Sequence, residues 1–211
     1  MALRALIADD HELFREGLKG LLESSLGAGD VVQAGSLDEA LDIIAGAESP
    51  PDLLILDLKM PGVTGAEAFS ALRDAFKDTK IVVMSASEER TDILAALSGG
   101  VHGYIPKSLG VSQIEAALQE VLGGRIYAPA ALGERSGAAP PAKAGPPIVV
   151  EGLTGRQRDV LFELLKGLSS KEIARNLHIA EGTVKIHLAA IYRAVGVRTR
   201  AEAIAKLNMR Q

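Results

Sequence analysis

The chain has no cysteine and no tryptophan, and aromatic residues make up only 3% of its 211 residues. Without cysteine, disulfide bonds and zinc sites built from thiolates are excluded. No apolar run approaches the roughly 20 residues that a membrane-spanning helix needs. The N-terminus also lacks a basic segment followed by an apolar core, so we expect a soluble, cytoplasmic protein without a membrane partner.

Charge is distributed unevenly along the chain, although the formal net charge is only −4. Residues 1–147 carry a net charge of −9, whereas residues 148–211 carry +5. An acidic first part and a basic last part indicate that the two parts have different partners. The basic part is the one predicted to face nucleic acid.

The first 125 residues alternate short apolar runs with amphipathic stretches. The apolar runs are continuous rather than alternating, which is typical of strands buried on both faces of a parallel sheet. Five βα units in succession predict an α/β domain with helices on both faces. The predicted strands span 3–8, 31–34, 53–57, 81–85 and 103–105, and the predicted helices span 11–25, 37–46, 64–76, 89–99 and 110–123.

The pattern changes after residue 125. Five prolines stand among alanine and glycine in residues 129–150, which predicts a linker without a core of its own over 126–149. Thr154, three residues before Gln157, then forms a capping-box pattern. Four short amphipathic helices follow, which predicts an all-α domain over 150–211 with a helix-turn-helix.

Three carboxylates are predicted to meet at one edge of the sheet. Asp57 ends the third predicted strand, and Asp9 and Asp10 follow the first. Ligands of open α/β sheets gather outside the carboxyl ends of the strands. Because three uncompensated negative charges repel one another, the site calls for a divalent cation. An aspartate in such a pocket is suited to receive a phosphoryl group.

Three further polar residues belong to later strand ends of the same sheet. Ser85 ends the fourth predicted strand, and Tyr104 and Lys107 lie at the fifth. A lysine neutralises a phosphoryl oxygen as a point charge, and a serine hydroxyl donates a hydrogen bond to another. Lys59 lies in a predicted tight turn directly after Asp57.

With these residues, positions 1–125 resemble the receiver domain of bacterial two-component response regulators. The resemblance implies the flavodoxin-like, doubly wound five-stranded sheet with strand order 2-1-3-4-5. It also implies that Asp57 accepts a phosphoryl group from a histidine kinase. Mg²⁺ would be held by Asp57, by Asp10 directly, by Asp9 through water, and by the carbonyl of Lys59.

The same resemblance implies how the phosphoryl group is sensed. Ser85 and Lys107 would contact it, and Tyr104 would be the aromatic residue that switches position. Lys59 and Ser87 occupy the two positions that tune dephosphorylation in this family.

The last 60 residues resemble the LuxR-type helix-turn-helix. The resemblance rests on the segments LTGRQ (153–157), GLSSKEIA (167–174) and GTVKIH (182–187). With the receiver, it identifies the NarL/FixJ class of response regulators. It implies a recognition helix over 181–194 in the major groove of double-stranded DNA, and a homodimer formed through helix 199–208 on phosphorylation or DNA binding.

The residues predicted to touch DNA follow from that resemblance. Lys185 would contact bases or phosphates, and Ile186 a thymine methyl group. Ala189 stands where some relatives carry a basic residue, so we expect base contacts to differ there. The backbone phosphates would be contacted by Thr183, Lys171, Arg193 and Arg200.

Three other functions compete with that of a phosphorylation-controlled transcription regulator. An aspartyl-phosphate phosphatase needs a second acid two residues after its nucleophile, where this chain has Lys59. A flavin phosphate would be repelled by the acidic loop that contains Asp9 and Asp10. A receiver that works without phosphate stays open, although the complete pocket argues against it. We therefore predict a regulator and not a metabolic enzyme.

Overall fold

A computed structural model describes residues 2–60, 63, 65–129 and 153–208. Residues 61–62 of the turn predicted over 59–62 and residues 130–149 of the predicted linker lie outside the described residues. The α/β part contains β1 (Leu3–Ala8), α1 (Glu12–Ser25), β2 (Ala28–Ala34), α2 (Leu37–Gly46), β3 (Leu53–Asp57), α3 (Gly65–Ala75), β4 (Lys80–Ser85), α4 (Arg90–Ser98), β5 (Gly103–Pro106) and α5 (Val111–Leu122). The helical part contains α6 (Gly155–Leu165), α7 (Ser170–Leu177), α8 (Glu181–Val195) and α9 (Arg200–Asn208).

The five strands form one parallel sheet in the order β2-β1-β3-β4-β5, as predicted. Helices α1 and α5 pack on one face, and α2, α3 and α4 pack on the other. All five residues of the central strand β3 are buried, because side chains on both of its faces meet helices. The carboxyl ends of β1, β3, β4 and β5 consequently converge at one edge.

The edge strand β2 is longer than its sequence suggests. The apolar run predicts a strand only over 31–34, whereas β2 begins at Ala28 and includes exposed Gly29 and Asp30. An edge strand has only one strand neighbour and is partly open to water, so it needs no continuous apolar run.

The helical part begins with a capping box, as predicted. The Thr154 hydroxyl accepts a hydrogen bond from Gln157 N, and the Gln157 side chain accepts one from Thr154 N. Ser169 caps α7 in the same way with Glu172. Helix α7 ends at His178, whose φ of 55° lets the chain turn sharply into α8. The core of this part combines buried side chains of α6, α7, α8 and α9.

Helix α8 also packs against α2 and α3 of the α/β part. Ile186 and Ala189 of α8 belong to the same buried apolar cluster as Leu41 of α2 and Leu72 of α3. The sequence did not predict this contact. Within the described residues, no helix is both long and apolar enough to cross a membrane.

Candidate phosphorylation site and DNA-reading helix

The three predicted carboxylates meet at the carboxyl edge of the sheet. Asp57 is the last residue of β3, and Asp9 and Asp10 directly follow β1. One ligand atom from each of them and one from His11 all lie within 4.8 Å of one another. Asp9 and Asp57 are buried, with 2% and 1% of their surface exposed, while Asp10 is exposed. The site is therefore a pocket with a buried floor and an open rim.

Lys107 offsets the charge of the two buried carboxylates. Its Nζ lies 2.6 Å from Asp9 Oδ2 and 3.2 Å from Asp57 Oδ2. The residue follows β5, and its backbone N–H donates to the Ser85 carbonyl at 2.8 Å, which fixes the start of the loop. The ammonium also lies 4.6 Å from the centre of the Phe14 ring. A buried carboxylate pair without such a cation would carry a large desolvation and repulsion cost.

The two oxygens of Asp57 have different surroundings. Oδ1 accepts a hydrogen bond from the Lys59 backbone N–H at 3.2 Å. Oδ2 is buried and accepts no hydrogen bond from the described part of the chain, although it lies within ion-pair distance of Lys107. A buried carboxylate oxygen without a hydrogen bond is expected to have a ligand or a chemical role. Together with the neighbouring carboxylates, it provides the hard oxygen donors that suit Mg²⁺.

Ser85 and Tyr104 lie behind this pocket and are linked by the backbone of Ser87. Both side chains are fully buried. Ser85 Oγ accepts a hydrogen bond from Ser87 N at 3.0 Å, and Tyr104 Oη donates one to the Ser87 carbonyl at 2.7 Å. Burial raises the pKa of the Tyr104 phenol, which stays neutral and able to donate. A movement of Ser85 would therefore be transmitted to Tyr104 through the backbone of Ser87.

The residues predicted to touch DNA are distributed over two environments. Lys171 and Arg193 are exposed. Thr183 and Ile186 are buried, with 1% and 0% of their surface exposed. Arg200 is half-buried, and its guanidinium donates to the Leu168 carbonyl. In this arrangement, only part of the predicted DNA surface is open to a partner.

Lys185 on α8 is held by the α/β part. Its Nζ lies 2.7 Å from Asp38 Oδ2 in the first turn of α2, and 4.0 Å from Glu181 Oε1. Next to it, Ile186 packs into the apolar cluster under α2 and α3. The helix that is predicted to read DNA thus presents its lysine and its central isoleucine to the α/β part.

His187 is buried on α8 and is not part of a metal-binding group among the described residues. Burial, with a smaller contribution from Arg156, lowers the pKa of His187 to about 4. Its Nδ1 has no hydrogen-bond partner in the described part of the chain. The neutral imidazole thus packs inside the protein.

Two residues of these sites were missed by sequence reasoning. His11 follows the two carboxylates in the loop after β1, and its position beside them was the available signal. Asp38 is one of several acidic residues on α2, and nothing in the sequence connects it with Lys185. Contacts between distant elements need the three-dimensional arrangement to become visible.

Comparison with known proteins identifies both parts of the chain. The model of the "Response regulator receiver domain" matches residues 5–119, and that of "Bacterial regulatory proteins, luxR family" matches residues 151–207. The chain is 36% identical to a glycerol metabolism activator of Pseudomonas putida, over 95% of this chain and 93% of the relative. It is also 36% identical to the nitrate/nitrite response regulator protein NarL of Escherichia coli K12, over 94% of this chain and 91% of that protein.

A solved structure supports the same assignment for the α/β part. The signal receiver domain of the putative response regulator NarL from Mycobacterium tuberculosis is 32% identical, with a TM-score of 0.52, and the match covers 59% of this chain and 98% of that one. The family matches, the sheet order and the helical C-terminal part agree with one another. The chain belongs to the NarL-type two-component response regulators, which are transcription regulators built from a receiver domain and a LuxR-type DNA-binding domain.

Proposed function

We propose that Asp57 accepts a phosphoryl group from a partner histidine kinase, and that this modification controls binding of the chain to double-stranded DNA. The boundaries that go with this proposal are a receiver domain over 1–125, a linker over 126–149 and a DNA-binding domain over 150–211. The observation that carries the proposal is the buried Asp57 Oδ2, which has no hydrogen bond from the described residues and faces the Lys107 ammonium.

The transfer itself follows from the environment of Asp57. An Asp57 carboxylate oxygen attacks phosphorus, the bond from phosphorus to the kinase's histidine nitrogen breaks, and that nitrogen leaves with the bonding pair. The Lys107 ammonium offsets negative charge on the phosphoryl oxygens. The Ser85 hydroxyl, 3.0 Å from Ser87 N, can turn to donate to another of these oxygens. Positioning and charge neutralisation dominate catalysis of such transfers.

Mg²⁺ is the cation that we propose for the pocket. Asp10 and Asp57 would hold it directly, Asp9 through water, and Lys59 through its backbone carbonyl. When bound, the ion neutralises charge on the phosphoryl group and on the carboxylates. Lys107 already contacts Asp9 and Asp57 by their Oδ2 atoms, so the protein divides the neutralisation between a fixed ammonium and an exchangeable cation.

The signal would leave the pocket through Ser85, Ser87 and Tyr104. Phosphorylation adds roughly 1.5 to 2 negative charges and strong acceptor oxygens. If Ser85 moves toward these oxygens, Ser87 loses the hydrogen bond that it donates to Ser85 Oγ. The carbonyl of Ser87, which holds Tyr104 Oη, then shifts with it. The surface around α4 and β5 is the one that this change would reshape.

DNA binding requires α8 to leave the receiver domain. A recognition helix lies in the major groove, where its side chains reach base edges. We propose that Lys185 and Ile186 then contact bases, and that Thr183, Lys171, Arg193 and Arg200 contact phosphates. In the described arrangement, Asp38 pairs with Lys185 and Ile186 is buried, so the receiver domain competes with DNA for the same helix face.

Two further features complete the proposal. Helix α9 would pair with a second copy through the side that faces away from its own core, in which Ala203 and Leu207 are buried, and this would place two recognition helices on two half-sites. The protein would act in the cytoplasm, where the kinase domain and the DNA are accessible.

Transfer of a labelled phosphoryl group tests the assignment of Asp57. The donor is radiolabelled acetyl phosphate with Mg²⁺, and the acceptors are the wild-type chain, Asp57→Ala and Asp30→Ala. Asp30 is an exposed carboxylate on β2, far from the pocket, so Asp30→Ala should label like wild type. We expect no labelling of Asp57→Ala. Undiminished labelling of that variant would show that another group is the acceptor.

A further inference from the structure

We propose that Arg15 is a positioning residue for the cation pocket, because its guanidinium holds the backbone between Asp9 and Asp10 and thereby raises the affinity for Mg²⁺. The proposal rests on the proposed function, since it concerns the same pocket. It assigns a role to a residue behind the carboxylates, which acts on the ion only through Asp9 and Asp10.

The guanidinium of Arg15 reaches back over the start of α1 to the loop after β1. Arg15 lies near the start of α1, where its backbone N–H donates to the His11 carbonyl at 3.1 Å. Side chains of a helix lean toward its N-terminus, so this one lies over the residues that precede the helix. Its Nη1 donates to the Asp9 carbonyl oxygen at 2.7 Å. This hydrogen bond joins α1 to the buried floor of the pocket.

The hydrogen bond from Arg15 fixes the backbone of Asp9, whose side chain is held separately. The Asp9 carboxylate accepts from His11 N at 2.9 Å and lies 2.6 Å from Lys107 Nζ. The carbonyl that Arg15 binds belongs to the peptide plane that leads to Asp10. Because a peptide plane is rigid, holding its oxygen restricts how far Asp10 can turn away from the pocket. Arg15 thus keeps the exposed Asp10 beside the buried Asp9.

Gln33, near the end of β2, holds the guanidinium in this orientation. Arg15 Nε donates to Gln33 Oε1 at 3.3 Å, and Gln33 Nε2 donates to Glu16 Oε1 at 2.7 Å. Arginine presents its donors in a rigid planar fork, so two acceptors on different parts of the chain define its position. Partners that orient metal ligands in this way commonly contribute roughly 10- to 100-fold to metal affinity.

The charge of Arg15 makes the proposal testable, because the charge acts against cation binding. Both acceptors of the guanidinium, the Asp9 carbonyl and the Gln33 amide, are neutral oxygens, so these hydrogen bonds do not neutralise it. A positive charge next to the pocket repels a divalent ion, so its removal would tighten Mg²⁺ binding if charge alone mattered. Positioning predicts the opposite sign. Removal of the guanidinium should then weaken Mg²⁺ binding.

Competition between Mn²⁺ and Mg²⁺ tests the proposal on the full chain. The EPR signal of free Mn²⁺ reports how much of the ion is bound, and added Mg²⁺ displaces it. Arg15→Met keeps an unbranched stem and removes the charge and the donors, whereas Gln33→Ala leaves the charge in place and frees the guanidinium. Arg4→Met is the matched control, since Arg4 lies at the opposite end of β1 and donates to the Ser49 carbonyl.

The three variants should differ in a fixed order. We expect Mg²⁺ binding to be roughly ten-fold weaker or more in Arg15→Met, weaker to a smaller extent in Gln33→Ala, and within about two-fold of wild type in Arg4→Met. Gln33→Ala separates positioning from charge, because it changes only the orientation of a guanidinium that is still present.

Phosphoryl transfer distinguishes positioning from a general loss of structure. With labelled acetyl phosphate, Arg15→Met should need roughly ten-fold more Mg²⁺ for half-maximal labelling, and saturating Mg²⁺ should restore most of the wild-type rate. Unchanged or tighter Mg²⁺ binding, or a labelling rate that stays low at saturating Mg²⁺, would overturn the proposal. If Arg15→Met does not fold, Gln33→Ala decides by the same criteria. Failure of the proposed function would look different: wild type would show no Mg²⁺-dependent labelling, or Asp57→Ala would label undiminished.

Discussion

Substitutions in the ion pair between Asp38 and Lys185 measure how strongly the receiver domain competes with DNA for α8. Removing its charge from the receiver side leaves every residue of α8 intact, so DNA contacts are not altered directly. Asp38 and Lys185 are 58% and 36% exposed, which places them among solvent-screened pairs. Such pairs contribute about 0.2–1 kcal/mol. Asp38→Asn should therefore shift the equilibrium toward released α8 by roughly 1.4- to 5-fold, since RT is about 0.6 kcal/mol. The apparent affinity for DNA should rise by up to the same factor.

Charge reversal should have a larger effect in the same direction. In Asp38→Lys, repulsion of similar size is added to the lost attraction, so the total reaches about 2 kcal/mol, or roughly 30-fold at most. Fluorescence anisotropy of the unphosphorylated protein with labelled operator DNA measures the apparent affinity, and Asp30→Lys controls for the change in net charge. The advantage of Asp38→Asn over wild type should shrink with added salt. If Asp38→Lys binds DNA no better than Asp30→Lys, α8 is not restrained by this contact.

Three further predictions concern single side chains. Lys107→Ala leaves two buried carboxylates without their cation, so it should lower the free energy of unfolding by about 3 kcal/mol in metal-free buffer. Thermal unfolding should show that added Mg²⁺ restores part of the lost stability. The pKa of His187 is about 4 in the folded state and 6.5 when unfolded, so the unfolded state binds the proton more readily. The free energy of unfolding should therefore be highest above pH 6.5 and fall by about 3 kcal/mol as the pH is lowered to 4. Denaturant titrations of His187→Gln should lack that decline, and an unchanged decline would exclude His187 as its source. Tyr104→Phe removes the hydrogen bond to Ser87, and urea unfolding should show a loss of about 1 kcal/mol; no loss would mean that this bond is not formed.

The sheet was largely predictable because its signal is local. Continuous apolar runs fixed β1 and β3 to the residue, and the strand ends then placed the carboxylates at one edge. The extent of β2 was not predictable from apolarity. Its first residues are partly exposed at the edge, where backbone pairing with β1 rather than burial defines the strand.

The contact between α8 and the receiver domain was missed because its residues suit two partners. Ala189 was interpreted only as the loss of a basic residue that reads DNA. In the structure, this small side chain lies in the apolar cluster under α2 and α3. Ile186 was assigned to a thymine methyl group, yet an apolar side chain packs equally well against a protein surface. The sequence of one helix does not distinguish these partners.

The central claim is that the pocket around Asp57 controls the DNA-binding half. The most direct test measures operator affinity and molecular mass in solution for wild type and Asp57→Ala, each with and without beryllofluoride and Mg²⁺. The account predicts that the phosphoryl mimic tightens DNA binding and promotes dimers of wild type, while Asp57→Ala does not respond. Equal DNA binding by both proteins under all conditions would contradict it and would favour a regulator that works without phosphate.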